Sequence, residues 1–129
     1  MSYSDPRPYT YSFGEIDFGA LSTDERLVIT GPSGKQGTIK EVLVSATETF
    51  TSDTTEGAVN LGSAAAGAQY VAMGLGTLAN ANDQRMTDTA ADLVLEAVPA
   101  DTDIHVTFVA PTGGTPAGKG FVQIMIEWY

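Results

Sequence analysis

The chain of 129 residues contains no cysteine, and it has a single histidine and a single tryptophan. The lack of cysteine excludes disulfide bonds, thiolate metal sites and cysteine nucleophiles. No apolar run approaches the roughly 18 residues that a membrane-spanning helix needs. The N-terminal stretch has no basic region followed by an apolar run, so we expect no signal peptide.

Basic residues are also scarce, with 6 Lys and Arg against 16 Asp and Glu, which gives a formal net charge of −10. A surface this acidic repels phosphate backbones and anionic lipid. The sequence therefore predicts neither a nucleic-acid partner nor a membrane partner. The acidic charge fits a protein that must stay soluble at high local concentration, and it also fits a partner that carries a basic patch.

The residues that are present are typical of one globular domain rich in β-structure. The hydrophobic fraction is 43%, and short alternating or β-branched runs are separated by Gly, Pro, Ser and Thr. About eight such runs predict an all-β, single-domain β-sandwich or jelly roll over residues 21–129. Residues 1–20, which contain two prolines and scattered aromatic side chains, are predicted to form an extended N-terminal arm, with a short strand near 11–18.

The last two strands have the clearest inward faces. Alternation in "DTDIHVTFVA" (101–110) turns Ile104, Val106 and Phe108 to one side. In "GFVQIMIEWY" (120–129), the apolar side consists of Val122, Ile124, Ile126 and Trp128. The opposite side of this strand also carries apolar residues, which predicts a central strand or one that a second subunit covers.

Two glycine-rich runs contain a lysine after a glycine, "GPSGKQGT" (31–38) and "PTGGTPAGKG" (111–120). A phosphate-binding loop needs a Ser or Thr after the lysine and a helix to follow. Gln36 and Gly120 occupy that position here, and a predicted strand follows each run. Both runs are therefore interpreted as hairpin turns.

No catalytic constellation is recognisable, and we expect that the chain is not an enzyme and holds no cofactor or metal. His105 lies within a predicted strand, and no G-x-S-x-G motif accompanies it. The carboxylates of Asp83, Asp88 and Asp92, and of Asp101 and Asp103, lack the spacing of an EF-hand. They are interpreted as solvated acidic loops, with a weak surface cation site as the alternative.

Aromatic side chains near both ends of the sequence are the candidate contacts with a subunit or another protein, because tyrosine and tryptophan are enriched at interfaces. For Trp128 and Tyr129, core packing is an equally good interpretation. The candidates are Tyr3, Tyr9, Tyr11, Phe13, Phe18, Trp128 and Tyr129.

Three blocks of the sequence form a distinctive pattern. They are "GPSGKQGTIKEVLVSATETFT", the stretches "AVNLGS" and "AQYVAMGLGT", and the ending "PADTDIHVTFVAPTGGTPAGKGFVQIMIEWY", which includes a predicted terminal hairpin. Together these blocks resemble the small decoration (cement, or head-stabilising) proteins of tailed bacteriophage capsids. The resemblance implies a virion structural protein that binds the major capsid protein on the outer capsid surface and stabilises contacts between capsomers. It also implies a homo-oligomer, with a trimer favoured.

Two other functions remain open at this point. A glycan- or receptor-binding β module of a phage fibre or surface protein would use exposed aromatics such as Tyr3, Tyr9, Tyr11 or Tyr70. A small hydrolase would use His105 together with nearby carboxylates.

Overall fold

A computed structural model of the chain describes residues 7–87 and 97–129. Eight strands and one 3₁₀ turn make up its regular structure, and none of the described residues belongs to a helix long and apolar enough to cross a membrane. The elements are β1 (Arg7–Asp17), the 3₁₀ turn (Phe18–Ala20), β2 (Glu25–Ile29), β3 (Gly37–Thr51), β4 (Ala58–Gly62), β5 (Val71–Gly74), β6 (Asp83–Thr87), β7 (Ile104–Val109) and β8 (Ala117–Trp128).

The strands form two four-stranded antiparallel sheets, which confirms the predicted all-β sandwich. The order is β1-β8-β3-β6 in the first sheet, here called sheet A, and β2-β7-β4-β5 in the second, sheet B. Strand pairs are nested, because β1 pairs with β8, β2 with β7, β3 with β6 and β4 with β5. This order arises when one long antiparallel pair of strand segments folds over so that its paired strands divide between two sheets. It is the topology of a jelly roll.

The core lies between the two sheets, and the last two strands supply its centre as predicted. Ile104, Val106 and Phe108 of β7 are fully buried, and so are Val122, Ile124 and Ile126 of β8. Burying one such side chain stabilises the fold by roughly 1.5–3 kcal/mol. Strand β8 lies between β1 and β3, so the prediction of a central strand is confirmed.

The two predicted hairpins at the glycine-rich runs are wrong. Residues 30–36 join β2 of sheet B to β3 of sheet A, and residues 110–116 join β7 of sheet B to β8 of sheet A. Each run therefore crosses from one sheet to the other. Alternating strands on both sides of a turn look the same in sequence whether the strands pair or diverge, which is why local patterns suggested hairpins.

The segment predicted as an extended arm contributes an edge strand of sheet A from Arg7 to Asp17, paired with β8. The register shifts between Ser12 and Glu15, and Gly14 between them has a φ of 72°. A bulge of this kind twists an edge strand and discourages pairing with another chain. The strand predicted over 93–99 lies mostly outside the described residues, apart from a bridge between Val98 and Gly37.

Candidate interaction surfaces

The loop of residues 30–36 binds a carboxylate of the same chain at the position that a phosphate would need. The backbone N–H of Gly34 donates to Oδ1 of Asp101 at 2.8 Å. Thr30 Oγ1 donates to Oδ1 of Asp103 at 3.0 Å, which fixes the neighbouring carboxylate to the same loop. A phosphate at Gly34 would meet the negative charge of Asp101. The two hydrogen bonds instead make the loop a structural clamp on the segment that precedes β7.

The second glycine-rich run packs against the connection between β3 and β4. Thr54 donates its backbone N–H to the carbonyl of Thr112 at 2.9 Å. Gly113 and Gly114 have φ values of 88° and 66°, which favour glycine. A Cβ atom on Gly114 would lie 2.8 Å from Cγ of Asp53. The glycines of this run therefore serve a tight turn and a close approach.

His105 lies on the outer side of sheet B, where β2 and β4 place Val28 and Gly62 beside it. Neither cross-strand neighbour is a Ser, Thr or carboxylate, so the register does not assemble a hydrolase triad there. Within residues 7–87 and 97–129, no three His, Cys, Asp or Glu side chains are grouped to hold a metal ion. Asp88 and Asp92 of the predicted acidic cluster lie outside the described residues.

The candidate contact aromatics divide into buried, partly buried and exposed groups. Phe18 and Trp128 are buried in the core, and Tyr11 and Phe13 pack against it from the edge. Tyr9 and Tyr129 keep 44% and 42% of their surface exposed. Tyr3 lies outside the described residues, and Tyr70, a candidate of the glycan-binding alternative, is buried.

Ring contacts explain why several of these aromatics face inward. Phe18 meets Phe50 and Phe108 edge to face, with ring centroids 5.3 and 5.8 Å apart. Phe13 meets Phe108 in the same way at 5.6 Å. Such pairs add about 0.5–1.5 kcal/mol each beyond their buried area. These rings therefore hold β1 and the 3₁₀ turn onto the sandwich.

The indole ring of Trp128 is held in a slot made by two glycines. Its Nε1–H donates to the hydroxyl oxygen of Tyr11 at 3.0 Å. Gly37 lies opposite Trp128 in the register of β3 and β8, and Gly31 approaches the same ring from the crossover loop. A side chain at either glycine would overlap the ring. Trp128 thus joins β1, β3, β8 and the crossover loop at one end of the sandwich.

The outer surface of sheet A, here called the A face, has an apolar centre and an acidic margin. The A face consists of Phe121, Gln123, Met125 and Glu127 of β8, the residues paired with them on β1 and β3, and the residues of β6 that pair with those of β3. Phe121 is 48% exposed, and Leu43 and Met125 of the same face are half-buried. Its carboxylates are Glu15, Glu41, Asp83 and Glu127.

The outer surface of sheet B, the B face, differs in composition. It consists of Arg26, Val28, Asn60, Ala72, His105 and Thr107, none of which is acidic. Val28 is the large apolar side chain here and is 52% exposed. Thr107 is buried, and its hydroxyl has no hydrogen-bond partner among the described residues.

Sequence reasoning missed Phe121 and Val28 as exposed apolar residues. For Phe121 a signal existed, because the second side of β8 carries Phe121 and Met125. For Val28 no signal existed, since the run "RLVIT" is too short to show which side faces the core.

Together, the nested strand order and the two outer faces define a jelly-roll β-sandwich with two broad sheet faces. No protein-family model matches the chain, and a search of curated proteins finds no match. Among solved structures, a chain in the cyanophage Pam1 capsid asymmetric unit has the same fold, with a TM-score of 0.55 and 16% sequence identity. The match covers 98% of this chain and 89% of that chain, so the shared fold spans nearly all of both.

Proposed function

We propose that this protein is a non-enzymatic virion structural protein, a decoration protein that binds the outer surface of a phage capsid and stabilises contacts between capsomers. The observation that carries the proposal is the match of nearly the whole chain, in both directions, to a chain of a phage capsid asymmetric unit. The resemblance of the sequence to capsid decoration proteins points the same way. The proposed partner is the major capsid protein.

The chemistry of the candidate sites supports a role in binding rather than catalysis. The carboxylates near the crossover loop are engaged by Gly34 and Thr30, and His105 has apolar or small neighbours on both adjacent strands. A net charge of −10 keeps a protein that accumulates in many copies soluble.

A homotrimer is the proposed arrangement on the shell. Three linked copies that bind together gain effective concentration for the second and third contacts, so individually weak contacts add up to firm binding. Closed rings use two different patches on each copy.

The copy number of the chain in purified particles tests the proposal. Quantitative mass spectrometry against the major capsid protein should give a ratio near one to one for a decoration protein. A few copies per particle would place the chain in the tail, a fibre or a vertex, and would contradict the proposal. Particles made without the chain should also release their DNA at a lower temperature, since they lack the stabilising contacts.

A second candidate function, glycan binding, rests on one cavity. A cavity of about 190 Å³ at the end of the sandwich is lined in part by Ser33, Lys35, Asp101 and Trp128. A few charged and hydroxyl groups that converge on a cavity are typical of small-molecule sites. A glycan array would test this function, and binding that is lost in Lys35→Ala but kept in Lys119→Ala would favour it over the first proposal.

A further inference from the structure

Phe121 is the most exposed aromatic residue of the A face, and carboxylates flank it along one row. Across the four strands of sheet A, the register aligns Glu15, Phe121, Ser45 and Asp83. Paired residues of neighbouring strands point to the same side of a sheet. An aromatic side chain that is 48% exposed therefore stands between two acidic positions on a broad surface.

The acidic margin is partly fixed in place. Glu15 accepts a hydrogen bond at Oε2 from the hydroxyl of Thr47, at 2.8 Å. That contact holds the Glu15 carboxylate across β8, on the side where Phe121 projects. Nε of Arg85 lies 3.6 Å from Oε2 of Glu41, so Arg85 neutralises one carboxylate of this face. The carboxylates of Glu15, Glu41, Asp83 and Glu127 outnumber Arg85, so these residues give the A face a net negative charge.

We propose that the A face is the surface that docks on the capsid shell, and that its site on the shell is an apolar socket bordered by Lys or Arg. This inference rests on the proposed function and names the surface that performs it. Interface hot spots combine a central aromatic anchor with surrounding residues that exclude water. Phe121 supplies the anchor, and the carboxylates of the A face supply the charge that basic residues complement.

The charge of the whole molecule gives an independent reason for a basic socket. Copies of net charge −10 repel one another when they are packed side by side on a shell. Basic residues of the shell beneath the A face neutralise part of that charge. The residues that make up the B face include no acidic side chain, with Glu56 lying beside its margin at Gly74, and its Val28 is as exposed as Phe121.

The test measures binding of the purified full-length chain to particles made without it, by co-sedimentation at several salt concentrations. Phe121→Ser should raise the dissociation constant about tenfold or more, which is about 1.4 kcal/mol or more at 25 °C. Val28→Ser is the matched control, because it removes a similarly exposed apolar side chain from the opposite face, and its binding should stay unchanged. Thermal unfolding should show that both variants remain folded.

A second pair of variants tests the charge complementarity. Asp83→Lys should weaken binding about tenfold or more and should flatten its dependence on salt. Asp53→Lys makes the same change of charge in the loop after β3. This control should have little effect on the strength of binding or on its dependence on salt.

The outcomes separate this inference from the proposed function. Wild-type binding together with unaffected binding of Phe121→Ser and Asp83→Lys would overturn the A face as the docking surface and leave the proposed function standing. Equal losses in the variants and their controls would overturn it as well. Absence of wild-type binding would overturn the proposed function and this inference together.

Discussion

Gly37→Ala is expected to destabilise the protein, because the new methyl group has no room beside Trp128. A Cβ atom at position 37 would lie 2.6 Å from Cζ3 of the indole ring. Carbon atoms in contact normally lie about 3.5–4.0 Å apart. Relief of the overlap would need a movement of about 1 Å by the ring or by the backbone.

Neither the ring nor the backbone is free to make that movement. Gly37 exchanges two backbone hydrogen bonds with Val98, at 3.0 and 2.8 Å, and pairs with Trp128 on its other side. The ring is buried and donates to Tyr11. Overpacking of this kind costs about 1–3 kcal/mol. The loss of glycine's freedom in the unfolded chain offsets about 0.4–1 kcal/mol.

The net loss in the free energy of unfolding is therefore expected to be about 1–2 kcal/mol, which lowers the melting temperature by about 3–10 °C. A double-mutant cycle with Trp128→Leu isolates the contact. Urea denaturation should be followed by circular dichroism, because Trp128 is the sole tryptophan and its fluorescence is lost in half of the cycle. An unchanged stability, or the same loss in the Trp128→Leu background, would refute the steric explanation.

Three other predictions concern the core, the crossover loop and the first strand. Phe108→Ala removes a fully buried ring and should cost about 3–5 kcal/mol in urea denaturation; a loss below 1 kcal/mol would contradict its central position. Asp101→Asn keeps the shape of the acceptor but removes its charge, so the bond from Gly34 should weaken by about 1 kcal/mol, and an equal stability at neutral pH would argue against the clamp. Deletion of residues 1–18 removes β1 and the buried Phe18 and should abolish cooperative unfolding; a melting curve like that of the full chain would disprove a structural role of β1.

Much of the strand content followed from the sequence, because side chains alternate along a strand whatever its partners are. Alternation placed Phe108 and Ile124 in the core correctly. It could not reveal that β2 pairs with β7, since those strands are far apart in sequence and no local feature links them. The two crossovers were mistaken for hairpins for the same reason.

The A face was only partly predictable. The second apolar side of β8 indicated that something covers Phe121 or Met125. The alignment of Glu15 and Asp83 with Phe121 depends on the register of β1 and β6, and therefore appears only in the folded sheet. Phe18 and Trp128 were predicted as contact residues only because they are aromatic, and both side chains are buried in the core.

The nested strand order also has a consequence for how the chain acquires its structure. Strand β8 is the last strand in the sequence, yet it is a central strand of sheet A and pairs with both β1 and β3. During synthesis, β1 and β3 leave the ribosome long before their common partner exists. Folding that depends on such distant pairing is slow. Sheet A therefore closes only once β8 has been made, and until then β1 and β3 both lack the strand that lies between them.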